Sequence, residues 1–373
     1  MRATSPQRSR RVLILTTLLL IVLLLLPMPV AAAPSLAAGS AIVLDVASGQ
    51  ILFEQASGAV IAPASLTKIM TALVALEHAD PAKRIAIVPG DLVGEASMGL
   101  RAGESLSLET LLYGLLLPSG NDAATAIARG VGARPGDASG AAGIARFVGW
   151  MNERAAGLGL SATQYVNSHG LDADGHRSSA ADLARLTGIA WTNPTFARIF
   201  GTASYTGEGH SMRHGNRLIG QYDGVVGGKV GLTDGCGFCL VTAAEHAGHR
   251  LVVVVLRDTR DGAFADTTAL LDWAYTQIDT GTFAAPVVVP TPAAAAPLSV
   301  APAAVTPTAA VATASRQATA RAATPTPGAN TTLGTRGGGL PGERTPPWEE
   351  HRTLLIAAFA ILCSWLIVRR LFG

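Results

Sequence analysis

Lysine is almost missing from this chain. Lys68, Lys83 and Lys229 are the only three in 373 residues, and arginine supplies the rest of the 28 basic positions. The net charge is only +2, and no basic stripe interleaved with aromatics is present, which argues against a nucleic-acid partner. Cysteine is equally scarce, with Cys236, Cys239 and Cys363. Cys363 lies in an apolar C-terminal run, so one intramolecular pair at most is available. Cys236 and Cys239 form a C-x-x-C, but no second pair or flanking histidines complete a zinc site, and the surroundings read as strand. A small buried apolar residue is the expectation for Cys239, and no metal site is expected.

The two ends of the chain differ from its middle. Arg2, Arg8, Arg10 and Arg11 precede the apolar run Val12–Leu26 and a small-residue tract. That order is an export signal over residues 1–38, with cleavage expected between Ala33 and Ala38; an uncleaved membrane helix is the alternative. Residues 285–350 are mostly Ala, Pro and Thr, with almost nothing to build a core, and read as a disordered linker. A coil of that length spans about 45 Å root-mean-square. Residues 353–372 then form an apolar run holding Arg369 and Arg370 near its end, the pattern of a single-pass anchor with a cytoplasmic C-terminus. The expected location is the cell membrane, with the body on the extracytoplasmic side.

The body, residues 39–284, opens on SAIVLDVASGQILFEQ, an alternation expected to fold as a hairpin turning at Ser48-Gly49. A helix is expected to begin near Ser65 behind Pro63, with Ile69, Leu73 and Leu76 at helical spacing. Two helices broken at Pro118-Ser119-Gly120, two more in RFVGWMNERAAGLGL and AADLARLTGIAWTN, three β-rich runs from Gly224 to Asp258 and a closing helix at LLDWAYTQI complete the order. Strands from both termini around a helical middle make an α+β fold: an antiparallel sheet flanked by helices, with a mainly helical lobe.

Three short motifs stand in sequence: Ser65-Leu66-Thr67-Lys68, Ser119-Gly120-Asn121 and Lys229-Val230-Gly231. A serine and a lysine one helical turn apart share a face, so the amine can reach the hydroxyl. The head of a helix also offers unpaired N–H groups to a developing oxyanion. A serine needs a base before it attacks. Lysine serves only if its pKa falls by roughly 3 units, about 4 kcal/mol, which burial and a second cation such as Lys229 would supply. Each motif alone also has a plain structural meaning: a solvated helix lysine, a capping turn, a strand-end lysine. Two of three lysines falling into ordered motifs tips the reading towards chemistry.

The set resembles the Ser-x-x-Lys, Ser-x-Asn and Lys-Thr-Gly motifs of penicillin-recognising enzymes. From about Ser40 to Trp273 the chain resembles the D-alanyl-D-alanine carboxypeptidase family of low-molecular-mass penicillin-binding proteins, through PASLTKIMTALVALE, MGLRAGESLSLETLLYGLLLPSGNDAA, YVNSHGLDADGHRSSAADLA and GGKVGLTDGCGFCLVTAA. The resemblance implies a β-lactamase/DD-peptidase-like fold and a serine carboxypeptidase that trims peptidoglycan stem peptides. Ser65 would be acylated, with Lys68 as base and Ser119 relaying a proton. Asn121, Lys229, Gly231, Leu232 and Thr233 would bind substrate. Backbone N–H groups of Ser65 and Leu232 would form the oxyanion hole. No cofactor enters, and β-lactams would be covalent inhibitors. Many family members carry a further β-domain after the peptidase unit; the linker is expected in its place.

Val230 departs from the family's usual threonine, whose hydroxyl would bind the substrate carboxylate; losing such a bond costs roughly 1.5–3 kcal/mol. A non-catalytic or weakly active wall-binding protein is therefore the alternative function, and a β-lactamase-like hydrolase a third, for which no deacylating glutamate motif stands out. His169 and His176 are expected to be exposed loop residues with no proton-transfer role.

Overall fold

The computed structural model describes residues 15–17 and 32–281. The linker and the C-terminal apolar run lie outside these residues, as does most of the leader. Among the described residues no helix is long and apolar enough to cross a membrane.

Five strands form one antiparallel sheet: β1 (Ser40–Asp45), β2 (Ile51–Gln55), β7 (Val225–Thr233), β8 (Gly237–His246) and β9 (His249–Asp258), in the order β2-β1-β9-β8-β7. The N-terminal hairpin thus pairs with the C-terminal strands, Ser40 opposite Leu256 and Asp45 opposite Leu251. Strand β9 shows why the sheet sits at the centre. Val252, Val254 and Leu256 enter one apolar core, and Leu251, Val253 and Val255 enter the other. Period-two alternation with both faces apolar is the mark of a strand covered on both sides.

The helices are α1 (Thr67–His78), α2 (Leu108–Leu116), α3 (Asn121–Gly132), α4 (Gly140–Gly157), α5 (Ala180–Ala190), α6 (Pro194–Phe200) and α7 (Arg260–Asp279). Helix α7 covers one face of the sheet, with Ala263, Phe264, Leu270, Leu271 and Ala274 in the smaller core. The others build the lobe on the opposite face. Helix α1 is its axis: every residue from Thr67 to Ala75 is buried, the all-round burial of a central helix. Burying side chains such as Ile69, Met70 and Leu73 is worth about 1.5–3 kcal/mol each. Several helix starts are capped, Ser107 accepting from Thr110 N and Ser179 from Asp182 N.

Three elements were not apparent in the sequence: α6 and two small hairpins, β3 (Arg84–Ala86) with β4 (Ser105–Ser107), and β5 (Ser204–Gly207) with β6 (His210–Arg213). These strands have four residues or fewer, too short to show a period. One expectation is corrected. Cys236 and Cys239 are joined in a disulfide, so Cys239 is not a lone apolar cysteine. Pairing of Thr233 with Gly237 closes a tight β7–β8 turn, and that turn folds residue 236 back to within 6.7 Å, Cα to Cα, of residue 239. That separation lies within reach of a bridge.

Candidate active site

Ser65 sits in a single 3-10 turn, Ala64–Leu66, that runs directly into α1. The expected helix start near Ser65 is therefore a tighter turn, with α1 proper beginning two residues later. Ala64 has a φ of 48°, in the left-handed region that costs an L-residue roughly 1–2 kcal/mol. Two glycines allow other segments to close on this turn. A Cβ on Gly170, itself at a φ of 92°, would stand 2.0 Å from Ala64 O, and one on Gly231 would stand 3.1 Å from Ser65 N.

Lys68 is fully buried, with Nζ 2.9 Å from Ser65 Oγ, 2.8 Å from Asn121 Oδ1 and 2.6 Å from the carbonyl oxygen of His169. Burial first, and then the neighbouring Lys229, hold its pKa well below the ordinary lysine value, against the pull of Asp122 and Glu95. A neutral amine has two N–H bonds and one lone pair. In that form Asn121 and His169 would accept the two protons and leave the lone pair facing the serine hydroxyl. This is the geometry of a base.

Ser119 occupies the break between α2 and α3, also in the left-handed region at a φ of 68°. Its Oγ accepts from Lys229 Nζ at 2.8 Å, and Lys229 donates as well to Val230 O at 2.8 Å. Lys229 is fully buried, and burial lowers its pKa to about 7. Asn121, the first residue of α3, donates from Nδ2 to Gly94 O at 2.9 Å and from its backbone N–H to Ala96 O at 2.8 Å, gripping the 94–96 loop over the site. The three motifs therefore meet in one cluster.

The remaining residues singled out in the sequence are on β7, the outer strand of the sheet. Gly231 faces the Ser65 turn, and Leu232 is 58% exposed. Thr233 Oγ1 accepts from Cys236 N at 3.2 Å in the hairpin turn. Val230 is half-buried and only packs against the core beneath α7, lying so close to Gly215 that a Cβ there would stand 2.7 Å from Val230 Cγ2 and 3.7 Å from Leu117 O.

The sequence reading missed several contributors. Asp122 is buried and accepts from Ser97 Oγ at 2.6 Å, Met98 N at 3.0 Å and Leu100 N at 3.1 Å, so it anchors the loop that Asn121 grips. An acid in the first turn of a helix directly after the Ser-Gly-Asn run was the available signal. The expectation of exposed histidines is also corrected. His176 is 5% exposed, and the carbonyl of half-buried His169 holds the base. Burial and Lys68 lower the His169 pKa to about 4, which keeps that ring uncharged beside the amine.

The low pKa of Lys229 has a measurable consequence for stability. Between about pH 7 and pH 10 the unfolded chain holds a proton on this lysine that the folded chain has released, so its contribution to stability rises with pH. Below that window both states are protonated and the penalty is constant. Urea unfolding of the wild type should gain up to about 1.4 kcal/mol per pH unit over Lys229→Met across the window. Parallel pH curves would show that Lys229 is charged in the folded protein.

An α+β fold with a central antiparallel sheet, and a serine and lysine at the head of a buried helix facing a second serine–lysine pair, place the chain in the DD-peptidase-like fold class. The family profile of the S11 peptidases, the D-alanyl-D-alanine carboxypeptidases, matches residues 28–260, and the chain belongs to that family. It is 33% identical over 258 residues to D-alanyl-D-alanine carboxypeptidase DacF of Bacillus subtilis, covering 65% of this chain and 63% of that protein. It is 33% identical over 246 residues to DacB2 of Mycobacterium tuberculosis, covering 63% and 81%. The solved Streptomyces K15 DD-transpeptidase superposes with a TM-score of 0.63 at 28% identity, over 66% of this chain and all of that one. The D-alanyl-D-alanine carboxypeptidase structure from M. tuberculosis gives 0.60 at 31% identity, over 67% and 95%. This chain spans 63% of the length of the B. subtilis relative and the same share of the Escherichia coli relative DacD.

Proposed function

We propose that the protein is a serine-type D-alanyl-D-alanine carboxypeptidase that trims peptidoglycan stem peptides through an acyl-enzyme on Ser65. The observation that carries this reading is the buried Lys68 amine 2.9 Å from Ser65 Oγ, with its pKa held well below the ordinary lysine value. Lys68 takes the hydroxyl proton as Ser65 attacks the penultimate D-alanine carbonyl. Ser119, held by Lys229, passes a proton to the departing nitrogen of the terminal D-alanine. Water then enters, hydrolyses the ester and restores Ser65. Backbone N–H groups at Ser65 and Leu232 receive the oxyanion, donors worth several kcal/mol when aimed at developing charge. Relatives named as D-alanyl-D-alanine carboxypeptidases support the substrate class. The proposal extends to place: the leader and the C-terminal run favour an extracytoplasmic enzyme tethered to the membrane.

A fluorescent penicillin should label the wild type and leave Ser65→Ala unlabelled, and the wild type should release D-alanine from a synthetic pentapeptide. An unlabelled wild type would favour the non-catalytic wall-binding alternative. A second arm addresses the leaving-group side. Val230→Thr is expected to raise kcat/KM for D-alanine release about tenfold, the worth of one hydrogen bond to a charged group. No gain would mean that the carboxylate is recognised elsewhere.

A further inference from the structure

Ser65 is presented by a backbone that alanine adopts only under constraint. Ala64 is fully buried at a φ of 48°, and its carbonyl accepts from the Thr67 backbone N–H and, at 2.8 Å, from Thr67 Oγ1. The same Oγ1 lies 2.8 Å from His176 Nε2. On the other side of that ring, Nδ1 accepts from Val166 N at 3.0 Å. The ring's one proton is therefore on Nε2 and points at Thr67, which commits the threonine's own proton to Ala64 O. Three bonds thus run in one direction, from Val166 N–H through His176 and Thr67 to the Ala64 carbonyl. Thr67 is fully buried and His176 is 5% exposed, so bulk water does not stand in for either side chain.

The end of this relay matters because a peptide unit is planar. The plane that carries Ala64 C=O also carries Ser65 N–H, pointing the opposite way across a trans bond. Anchoring the carbonyl therefore fixes the direction of the N–H. We propose that His176 and Thr67 are positioning residues whose hydrogen-bond relay clamps the Ala64–Ser65 peptide and so aims the Ser65 N–H at the oxyanion of the acylation step. Neither side chain touches the reacting atoms. The inference rests on Ser65 being the nucleophile, and it assigns work to a threonine between Ser65 and Lys68 and to a histidine more than a hundred positions away. Burial lowers the His176 pKa to about 4 against the opposing pull of Asp172, and His169 and Tyr165 are the titratable rings beside it. The relay therefore keeps its direction at neutral pH.

Thr67→Val preserves shape and removes the hydroxyl, whereas Thr67→Ser keeps it. With fluorescent penicillin, Thr67→Val should slow the acylation step about 10- to 100-fold, the range for weakening an oxyanion donor, while affinity of the non-covalent complex stays within about twofold. Thr67→Ser should recover to within about threefold of wild type. His176→Phe should lose as much as Thr67→Val, and the double variant no more than either, because links in series are not additive. A crystal structure of Thr67→Val should show the Ala64 peptide rotated from its present plane. Unchanged acylation, an equal loss in binding, multiplying losses or an unmoved Ala64 peptide would each overturn the relay. If His176→Phe does not fold, the two threonine variants decide alone. If the wild type takes no penicillin, the proposed function falls, and the Ala64 peptide of Thr67→Val still decides this inference.

Discussion

Alanine in place of Lys68 is expected to slow acylation of Ser65 by about a thousandfold, within the range that a positioned base contributes. The reason is the division of labour around Nζ. Asn121 and His169 take the amine's two protons, and Ser65 faces what remains. Arginine cannot stand in, because its guanidinium stays charged and offers no lone pair. Lys68→Arg should therefore be as slow as Lys68→Ala, even though it keeps a basic residue in place. Stopped-flow acylation with fluorescent penicillin measures both. A Lys68→Arg enzyme within about tenfold of wild type would show that the position supplies charge rather than a base.

Gly170→Ala should cost about 3 kcal/mol of stability, the sum of a left-handed alanine and a steric overlap. Position 170 has a φ of 92°, and an added Cβ would lie 2.0 Å from Ala64 O and 3.0 Å from Ser65 N. Backbone cannot swing aside as a flexible side chain does, so the loop or the nucleophile turn must move. For a body of this size the melting temperature should fall by roughly 6–12 °C. Acylation should fall with it, by tenfold or more, because the atoms pushed are those that orient Ser65. Gly175→Ala is the control: it also has a positive φ, yet the nearest atom to its Cβ position is 3.9 Å away. Equal losses in the two variants would mean that strain alone, and not displacement of the turn, sets the effect.

Much of this arrangement was legible beforehand. Strands β8 and β9 are long and apolar, and the helix break at Pro118-Ser119-Gly120 falls between α2 and α3 as expected. The three motifs were found by order and residue type, and their meeting in one cluster follows from strands β1 and β9 drawing the two ends of the body together. What stayed hidden depends on backbone rather than on side chains. No pattern announces that the carbonyl of His169 will receive a proton from Lys68, or that Ala64 will be left-handed, because carbonyls are the same in every residue. His176 looked like an exposed loop histidine because its neighbours, Asp172, Asp174 and Gly175, are turn formers. Only the folding of that loop onto Ile61, through the Ile61–Ser178 bridge, buries it.

The Cys236–Cys239 bond makes the finished protein depend on its chemical surroundings. Paired residues on neighbouring antiparallel strands project to the same side, so Cys239, opposite Gly231, lies on the face where Gly231 meets the turn of Ser65. Closing the bond removes two protons and two electrons, which an oxidising environment accepts and a glutathione-rich one returns. Chain recovered from a reducing compartment would therefore be a distinct molecule, with two thiols packed behind its nucleophile, and its handling history belongs beside any rate reported for it.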